Sequence, residues 1–323
     1  MAAGLAGAGP VRGAFAALAS RHWDRQIAET CRRDMDRRAW TGIPQIHWNH
    51  NYLTTGNRQH SWIEYLRDRY FEDGFAGDTL SLGCGEGHVD RVLKDCGFKF
   101  KSFTGVDVSP KSVDAATRLA QEKELCPSTR YMVADLNQYE PPAASFDFIY
   151  FFQSLHHLKA LEHVLDACAK ALRPGGLLMV NEFVGPSRFQ WTDTQLQMAT
   201  ELIGLIPEPL RRDVRRSDGR PKKSAARPWA LQMMVLDPSE AVRSAEIEMV
   251  LKQRFDVVEE KNWGGTLNFL VFENIAANFD ANNPYHNAVV DLLIHHENTL
   301  IGRGVLPSDF KLFMARPKAA DHG

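Results

Sequence analysis

Three glycines at alternate positions lie in the stretch TLSLGCGEGHVDRVL, residues 79–93. They follow an apolar run typical of a buried strand and precede a run with the periodicity of a helix. A turn without side chains lets a ligand approach the backbone, and the amides that open the next helix can bind an anionic group. Gly83, Gly85 and Gly87 therefore indicate a small-molecule binding turn.

Two carboxylates end the next two predicted strands, Asp107 in SFTGVD and Asp135 in TRYMVAD. Because parallel strands bring their carboxyl ends to one edge of a sheet, we expect both acids near the glycine turn. Asp107 is placed to accept hydrogen bonds from two ribose hydroxyls, and Asp135 from an adenine amino group. The spacing GxGxG, unlike the GxGxxG of dinucleotide sites, favours an adenosine ligand whose only anion is a small carboxylate.

Together these motifs resemble class I methyltransferases that depend on S-adenosylmethionine. LSLGCGEG is similar to that family's glycine motif, GVDVSP to its ribose-binding strand end and VADLN to its adenine-contacting segment. FDFIYFFQSLHHL and ALRPGGLLMVNE resemble its fourth and fifth strand regions, so the resemblance covers residues 79–182 closely.

The resemblance implies S-adenosylmethionine as cofactor and gives a set of cofactor-binding residues. They are Ser81, Gly83, Cys84, Gly85, Gly87, Asp107, Val108, Asp135, Leu136 and Gln153. Ser81 departs from the family pattern, which often has an acid at this place. We expect its hydroxyl to hold the methionine amino group through water, with less charge.

Methyl transfer to a hydroxyl needs alignment of the acceptor and is helped by a base that removes its proton. The candidates are His156 and His157, just after the fourth strand, and Glu182, at the end of the fifth; His157 is favoured over His156. Alternatively, the histidines support the fold and Glu182 orients the substrate or a loop. No metal site is predicted, because the HWNH and HH pairs lack further ligands at a telling spacing.

Substrate specificity is expected from segments added to the shared sheet, which are long loops of the kind that carry function. His50, Tyr52, Arg188 and Trp191 are the candidate substrate contacts. The segment 211–227 holds eight basic residues against two acids. It is interpreted as a solvated loop or, alternatively, as a lid that recognises a phosphate or carboxylate on the acceptor.

Seven strands are predicted to position these residues: TLSLG, SFTGVD, TRYMVAD, FDFIYFF, GLLMVNE, FDVVEEK and DFKLFMARP. Strands and helical patterns alternate over residues 79–182, which is typical of βαβ units. We predict an α/β fold with a doubly wound, seven-stranded, mostly parallel Rossmann-like sheet whose last strand is antiparallel. An N-terminal helical segment and a helical insertion after strand 5 complete the prediction.

Five segments are expected along the chain: a flexible tail (1–20), an N-terminal helical cap (21–75), the cofactor-binding core (76–186), an insertion serving as substrate lid (187–238), and the C-terminal part of the core (239–318). Within them, residues 41–59 are predicted to be a loop. A helix is predicted from Asp237 to about Gln253. Ser61, with Glu64 three residues later, and Ser109, followed by Pro110, are predicted to begin helices.

Composition limits the partners of this 323-residue chain. With 38 basic against 40 acidic residues, the net charge of -2 gives no field that attracts nucleic acid or anionic membranes. The five scattered cysteines indicate reduced thiols in a cytosol, and no apolar run reaches the roughly 18 residues of a membrane span.

We therefore expect a cytoplasmic enzyme that methylates a small-molecule acceptor, on an oxygen of a sugar or natural-product intermediate. The alternatives are a protein or RNA methyltransferase and a non-catalytic S-adenosylmethionine-binding protein. A homodimer is left open.

Overall fold

The structure is a computed structural model that describes residues 39–229, 233 and 237–318. The predicted tail and the part of the predicted helical cap before residue 39 lie outside the described residues. The strands are β1 (Phe75–Leu82), β2 (Lys99–Asp107), β3 (Thr129–Val133), β4 (Phe146–Phe152), β5 (Leu172–Phe183), β6 (Phe255–Gly264) and β7 (Phe310–Pro317). The described α-helices are α1 (Pro44–Thr55), α2 (Trp62–Tyr70), α3 (His88–Asp95), α4 (Pro110–Glu122), α5 (Leu161–Ala171), α6 (Asp193–Leu205), α7 (Ile247–Arg254), α8 (Asn268–Phe272) and α9 (Pro284–Gly302).

All seven predicted strands join one sheet in the order β3-β2-β1-β4-β5-β7-β6. Strand β7 runs antiparallel to both of its neighbours, and β1 to β5 pair in parallel. The predicted fold class is confirmed. The strand order reverses between β1 and β4, so their carboxyl ends open a crevice where ligands bind in folds of this kind.

The central strand β4 is buried on both faces, as its unbroken apolar sequence requires. Phe148 and Tyr150 pack into the core on one face, whereas Ile149 and Phe151 pack into the core on the other. Helices α5 and α7 cover the second face. The first face is covered by helices from both ends of the described chain, including α1, α2, α8 and α9. Most of the segments outside residues 79–182 therefore pack on the first face of the sheet.

Helix α1 corrects the prediction of a loop over residues 41–59. Its start and stop signals are present, because Pro44 is the first helical residue and Gly56 follows the last with φ 80°. Its buried face is largely polar, which hides the helical period from hydrophobic patterning. Asn49 on that face exchanges side-chain amide hydrogen bonds with Asn298 of α9, with Asn298 Nδ2 donating at 2.7 Å.

The helix predicted from Asp237 instead begins at Ile247, after a series of turns. Arg188 explains the difference. Its guanidinium donates to the carbonyl oxygens of Pro238 at 2.8 Å and Glu240 at 3.1 Å, and these carbonyls would otherwise join a helical ladder. Ala241 also has a left-handed φ of 47°, which ends any helix at that point.

The other two predicted helix starts are present. The Ser61 hydroxyl accepts a hydrogen bond from the Ile63 N–H at 3.2 Å, and the Ser109 hydroxyl accepts one from the Ser112 N–H at 3.1 Å. Pro110 is the first residue of α4. Among the described residues, no helix has the length and apolar character needed to cross a bilayer.

Candidate active site

The glycine turn after β1 combines two requirements. At Gly83 a Cβ would lie 2.4 Å from Cβ of Ser154, so this glycine lets the chain itself pack. At Gly85, with φ 53°, a Cβ would meet no atom within 4 Å, so its place is open to a ligand. The Gly85 N–H donates to Oδ2 of Asp107 at 2.9 Å, which ties the turn to the end of β2.

A cavity opens on this turn at the carboxyl ends of the strands. Its lining consists of Gly83, Gly85, Asp107, Val108, Ser112, Asp135, Leu136, Asn137, Gln153, Ser154, His157, Leu158 and Ser239. Seven of the ten predicted cofactor residues line it; Ser81, Cys84 and Gly87 do not. Ser112, Asn137, Ser154, Leu158 and Ser239 were not predicted, although Asn137 follows Asp135 closely enough in the sequence to have been included.

Ser81 lies beneath the turn, where its hydroxyl donates to Oδ1 of Asp90 at 3.0 Å. Asp90 is fully buried and also accepts hydrogen bonds from the hydroxyls of Tyr131, at 2.9 Å, and Tyr150. Burial raises the pKa of Asp90, against the effect of these three donors. Position 81 has no carboxylate of its own, but Asp90 of α3 places one next to the Ser81 hydroxyl. This carboxylate is buried inside the protein and does not line the cavity.

The other two predicted residues outside the lining have structural surroundings. Burial raises the pKa of the Cys84 thiol well above its usual value, which does not suit a nucleophile. Gly87, with φ 69°, precedes α3, and a Cβ there would lie 2.9 Å from the hydroxyl oxygen of Tyr131.

Backbone and side-chain donors orient the two cavity acids. Oδ1 of Asp107 accepts from the N–H of Ser109 at 2.9 Å, in addition to the bond from Gly85 to Oδ2. Oδ1 of Asp135 accepts from the N–H and the side-chain amide of Asn137, at 3.0 and 2.9 Å. A carboxylate has about four acceptor positions, so both acids can still bind hydroxyl or amino groups of a ligand.

The predicted catalytic residues come together where β4 and β5 end. Oε2 of Glu182 lies 2.6 Å from Nδ1 of His156, and Oε1 accepts from the backbone N–H groups of Ser154 and Leu155 at 2.5 Å. Glu182 is fully buried and both of its carboxylate oxygens have partners within the protein, so it positions His156 rather than contacting a ligand. Burial lowers the pKa of His156, but the charges of Glu182, Glu240 and Asp237 outweigh it and raise that pKa overall.

Glu240 completes this cluster, with Oε1 at 3.6 Å from Nε2 of His156 and Oε2 at 3.8 Å from Nδ1 of His157. Burial raises the pKa of Glu240 to about 7. The ligand-type atoms of the three residues lie within 4.8 Å of one another, a separation that a metal ion can also bridge. Their titratable character and mutual contacts suit proton transfer as well.

A second cavity, of about 510 Å³, adjoins the first at Gln153, which lines both. Its lining consists of Ala39, Trp40, Thr41, Ile46, His47, His50, Trp62, Phe152, Gln153, His156, Asn181, Phe183, Phe189, Glu240, Trp263, Phe269, Glu273 and Phe310. Gln153 has a left-handed φ of 50°, and its N–H and Nε2 both donate to the Asn181 carbonyl, at 2.9 and 3.1 Å. Gln153 therefore lies at the boundary between the two cavities, in a backbone conformation that is uncommon for a residue other than glycine.

Stacked rings form much of this second cavity. Five rings follow one another as Phe152, Trp62, His50, Trp263 and Trp40, with interplanar angles of 10°, 22°, 14° and 9°. The rings come from β4, from α1 and α2, from β6 and from the turn before α1. Because each ring packs on the next, the wall is rigid and largely apolar.

Glu297 of α9 holds the segment that carries Trp263 and Phe269. It is buried, and its carboxylate accepts from the backbone N–H groups of Gly265 at 3.0 Å, Leu267 at 2.6 Å and Asn268 at 2.8 Å. The Asn268 side-chain amide adds a fourth donor at 2.7 Å. One carboxylate therefore fixes the turn between β6 and α8.

Comparison with known proteins agrees with this geometry. Residues 80–180 match the family described as "Methyltransferase domain". The chain is 33% identical over 110 residues to the 27-O-demethylrifamycin SV methyltransferase of Amycolatopsis mediterranei, across 34% of this chain and 40% of that protein. It is 30% identical over 129 residues to the ubiquinone biosynthesis O-methyltransferase of Methylocella silvestris, across 39% of this chain and 48% of that protein. The chain thus spans less than half the length of these two relatives.

Residues 80–180 form a class I S-adenosylmethionine-dependent methyltransferase domain. Among solved structures, a Haemonchus contortus phosphoethanolamine N-methyltransferase 2 in complex with S-adenosyl-L-methionine aligns with a TM-score of 0.48 at 16% identity, over 92% of this chain and 60% of that one. A similarity of that size adds nothing on function.

S-adenosylmethionine is the cofactor of this methyltransferase domain, and the first cavity fits it. Gly85 leaves open the space that a Cβ would fill, at the point where the cofactor must approach the backbone. Asp107 and Asp135 present carboxylate oxygens that would accept from the ribose hydroxyls and the adenine amino group, and Val108 and Leu136 add apolar lining. These five residues and Gln153 would hold the cofactor.

Of the predicted substrate-binding residues, only His50 lines the second cavity. Tyr52 is half exposed on α1, and Arg188 is engaged by backbone carbonyls of the segment 237–240. Trp191 is buried, donates its indole N–H to Oδ2 of Asp309 at 2.7 Å, and stacks on Phe189. Phe189 lines the second cavity, so Trp191 packs against a lining residue without lining the cavity itself.

The basic segment 211–227 is a loop, as predicted, and several of its charges have partners within the protein. Arg216 pairs with Asp218 at 2.9 Å and Arg227 with Asp193 at 2.5 Å. Lys222 donates to the carbonyl oxygens of Leu270, Val271 and Glu273, at 2.7, 3.2 and 2.8 Å, and burial lowers its pKa to about 8. Lys222 thus fastens the loop to the end of α8.

Proposed function

We propose that this protein transfers a methyl group from S-adenosylmethionine to an oxygen of a small, largely apolar acceptor. The observation that carries the proposal is the meeting of two cavities at Gln153, with the pair of His156 and Glu182 beside the junction. When bound, S-adenosylmethionine supplies a methyl group on a sulfonium, which a nucleophilic oxygen can displace.

His156 is the proposed base. Its Nδ1 faces Glu182, which favours the tautomer with the proton on Nδ1 and leaves the lone pair on Nε2 to accept the acceptor's proton. His156 lines the acceptor cavity, whereas His157 lines the cofactor cavity. This arrangement favours His156 over His157, the reverse of the sequence-based preference.

The acceptor class follows from the lining of the second cavity. None of its described lining residues is Lys or Arg, and most of them are aromatic or aliphatic. A sugar would need many polar partners, and an RNA would need cationic ones. The lining therefore supports a natural-product-like acceptor with an apolar body over a sugar or RNA. Cytoplasmic location stays a prediction from the sequence, and a homodimer stays open.

Transfer of label from S-adenosylmethionine tests the proposal. The purified protein is incubated with labelled cofactor and a cell extract, and the label is followed into small molecules, protein and RNA. We expect label in an apolar small-molecule fraction, and His156→Gln should abolish most of it. Label in protein or RNA would contradict the acceptor class. No label in any fraction, despite cofactor binding, would favour the non-catalytic alternative.

A further inference from the structure

Two buried polar atoms without partners belong to the acceptor cavity. They are Nε2 of His50 and Nδ2 of Asn181, and both residues line that cavity. His50 is 5% exposed and Asn181 is fully buried. A buried polar atom without a partner costs about 1–3 kcal/mol, and a bound water or a polar group of a ligand can remove that cost.

The orientation of the Asn181 side chain follows from the donor beside it. The indole N–H of Trp263 can only donate, and it lies 3.1 Å from Oδ1 of Asn181. The amide oxygen is therefore engaged, and the unpartnered Nδ2 is a donor. A ligand that satisfies Asn181 must present an acceptor oxygen to it.

His50 stacks between two indoles, with ring centroids 4.8 Å from Trp62 and 4.5 Å from Trp263. Burial, and next the neighbouring His47, lower the pKa of His50 to about 3, so its imidazole is neutral. The unpartnered Nε2 is then a neutral donor or acceptor, depending on the tautomer. Both His50 and Asn181 contact Trp263, which puts them in the same part of the cavity.

We propose that Nδ2 of Asn181 and Nε2 of His50 form a recognition subsite for a hydroxyl group on a planar aromatic acceptor. The inference rests on the proposed function and names its substrate class. A hydroxyl oxygen accepts from Asn181, and its rotating hydrogen suits either tautomer of His50. A planar ring fits a wall of stacked rings better than a flexible chain does, because less conformational entropy is lost.

Binding of a matched probe pair tests the subsite without any methyl transfer. The probes are 1-naphthol and naphthalene, measured by equilibrium dialysis with and without S-adenosylhomocysteine. The wild type should bind 1-naphthol about tenfold more tightly than naphthalene, the equivalent of about 1.4 kcal/mol. Asn181→Leu and His50→Phe should each reduce that ratio to about one or two, chiefly by weakening 1-naphthol.

His50→Phe keeps a stacking ring, so it removes the nitrogen with little change to the wall. Asn282→Leu changes an exposed asparagine and is the matched control, which should keep the wild-type binding ratio. A ratio near one in the wild type, no binding of either probe, or an unchanged ratio in both cavity variants would overturn the subsite. Calorimetry with S-adenosylhomocysteine on the same samples reports separately on the proposed function, since that ligand occupies the other cavity.

Discussion

Oε2 of Glu182 lies 2.6 Å from Nδ1 of His156, between the end of β5 and the turn after β4. A buried carboxylate in this position fixes the imidazole, which lines the acceptor cavity and has its Nε2 3.6 Å from Oε1 of Glu240. General-base catalysis of this kind contributes about 10²–10⁴-fold. We therefore expect His156→Gln to lower kcat by about that factor while S-adenosylhomocysteine still binds.

His157→Gln is the matched control for that experiment, because His157 lines the cofactor cavity instead. It should weaken cofactor binding rather than remove the base. A larger loss of kcat from His157→Gln than from His156→Gln would restore the sequence-based preference and contradict the assignment.

The pH dependence of the rate should report the same base. The pKa of His156 is raised, so its neutral, active form predominates only above a pH higher than the ordinary value of 6.5. We expect kcat/KM to rise with pH through a midpoint above 6.5. Glu182, Glu240, Asp237 and His157 face the imidazole, and Glu240, with a pKa of about 7, titrates in the same range.

Glu182→Gln removes the negative charge nearest to His156, which should lower the pKa of the imidazole. The rising limb of kcat/KM should then move to lower pH, together with a loss of kcat from the weaker orientation of the ring. A limb that stays in place in Glu182→Gln would mean that another group titrates.

Asp107 has two roles, because it orders the glycine turn through Gly85 and lies in the cofactor cavity. Asp107→Asn keeps the shape but loses an acceptor, and should weaken S-adenosylhomocysteine binding by about 1–3 kcal/mol in calorimetry. Asp135→Ala should weaken it by a similar amount. Asp256→Asn, at an exposed position of β6, is the control. Full affinity in both Asp107→Asn and Asp135→Ala would refute the assigned cavity.

Much of the cofactor cavity could be predicted from the sequence, because it is built from short segments at strand ends. Gly85, Asp107 and Asp135 each follow a recognisable strand, and parallel pairing alone brings them together. The acceptor cavity could not be predicted in this way. Asn181 and Trp263 become partners only through the packing of β5, β6 and β7.

Ser81 and α1 illustrate two further limits. The Ser81 hydroxyl donates to the carboxylate of Asp90, which lies nine residues later on a helix. No sequence motif reveals this pairing. In α1, Asn49 and His50 face inward, so a search for apolar periodicity finds no helix. Both residues are polar, and they pack against α9 and the stacked rings.

Catalysis is expected to be independent of a metal ion. His156, His157 and Glu240 are close enough to bind one, but the proposed mechanism needs the Nε2 lone pair of His156 for a proton. Prolonged dialysis against EDTA should leave kcat unchanged, and added Zn²⁺ should inhibit by occupying that lone pair. If activity is lost on dialysis and restored by a divalent ion, the reaction depends on a metal ion and the assignment of His156 as the base is wrong.

Glu297 should be among the residues that matter most for stability. Glu297→Ala leaves three buried backbone N–H groups and one amide without their acceptor, so we expect a loss of about 3 kcal/mol or more in urea unfolding. The exposed Glu201 of α6 is a matched control, and Glu201→Ala should change stability by less than about 0.5 kcal/mol. Equal midpoints for the two variants would show that Glu297 does not hold the turn between β6 and α8.

The stacked rings also set an order of events during biosynthesis. Strands β1 to β5 are consecutive in the chain, so the cofactor half can pair while later segments are still being translated. Trp62 and His50 emerge from the ribosome early, yet their ring partner Trp263 is made much later. Until then their apolar faces stay open to other chains. The acceptor wall is therefore completed only after the strand that carries Trp263 has been made, later than every strand that ends at the cofactor cavity.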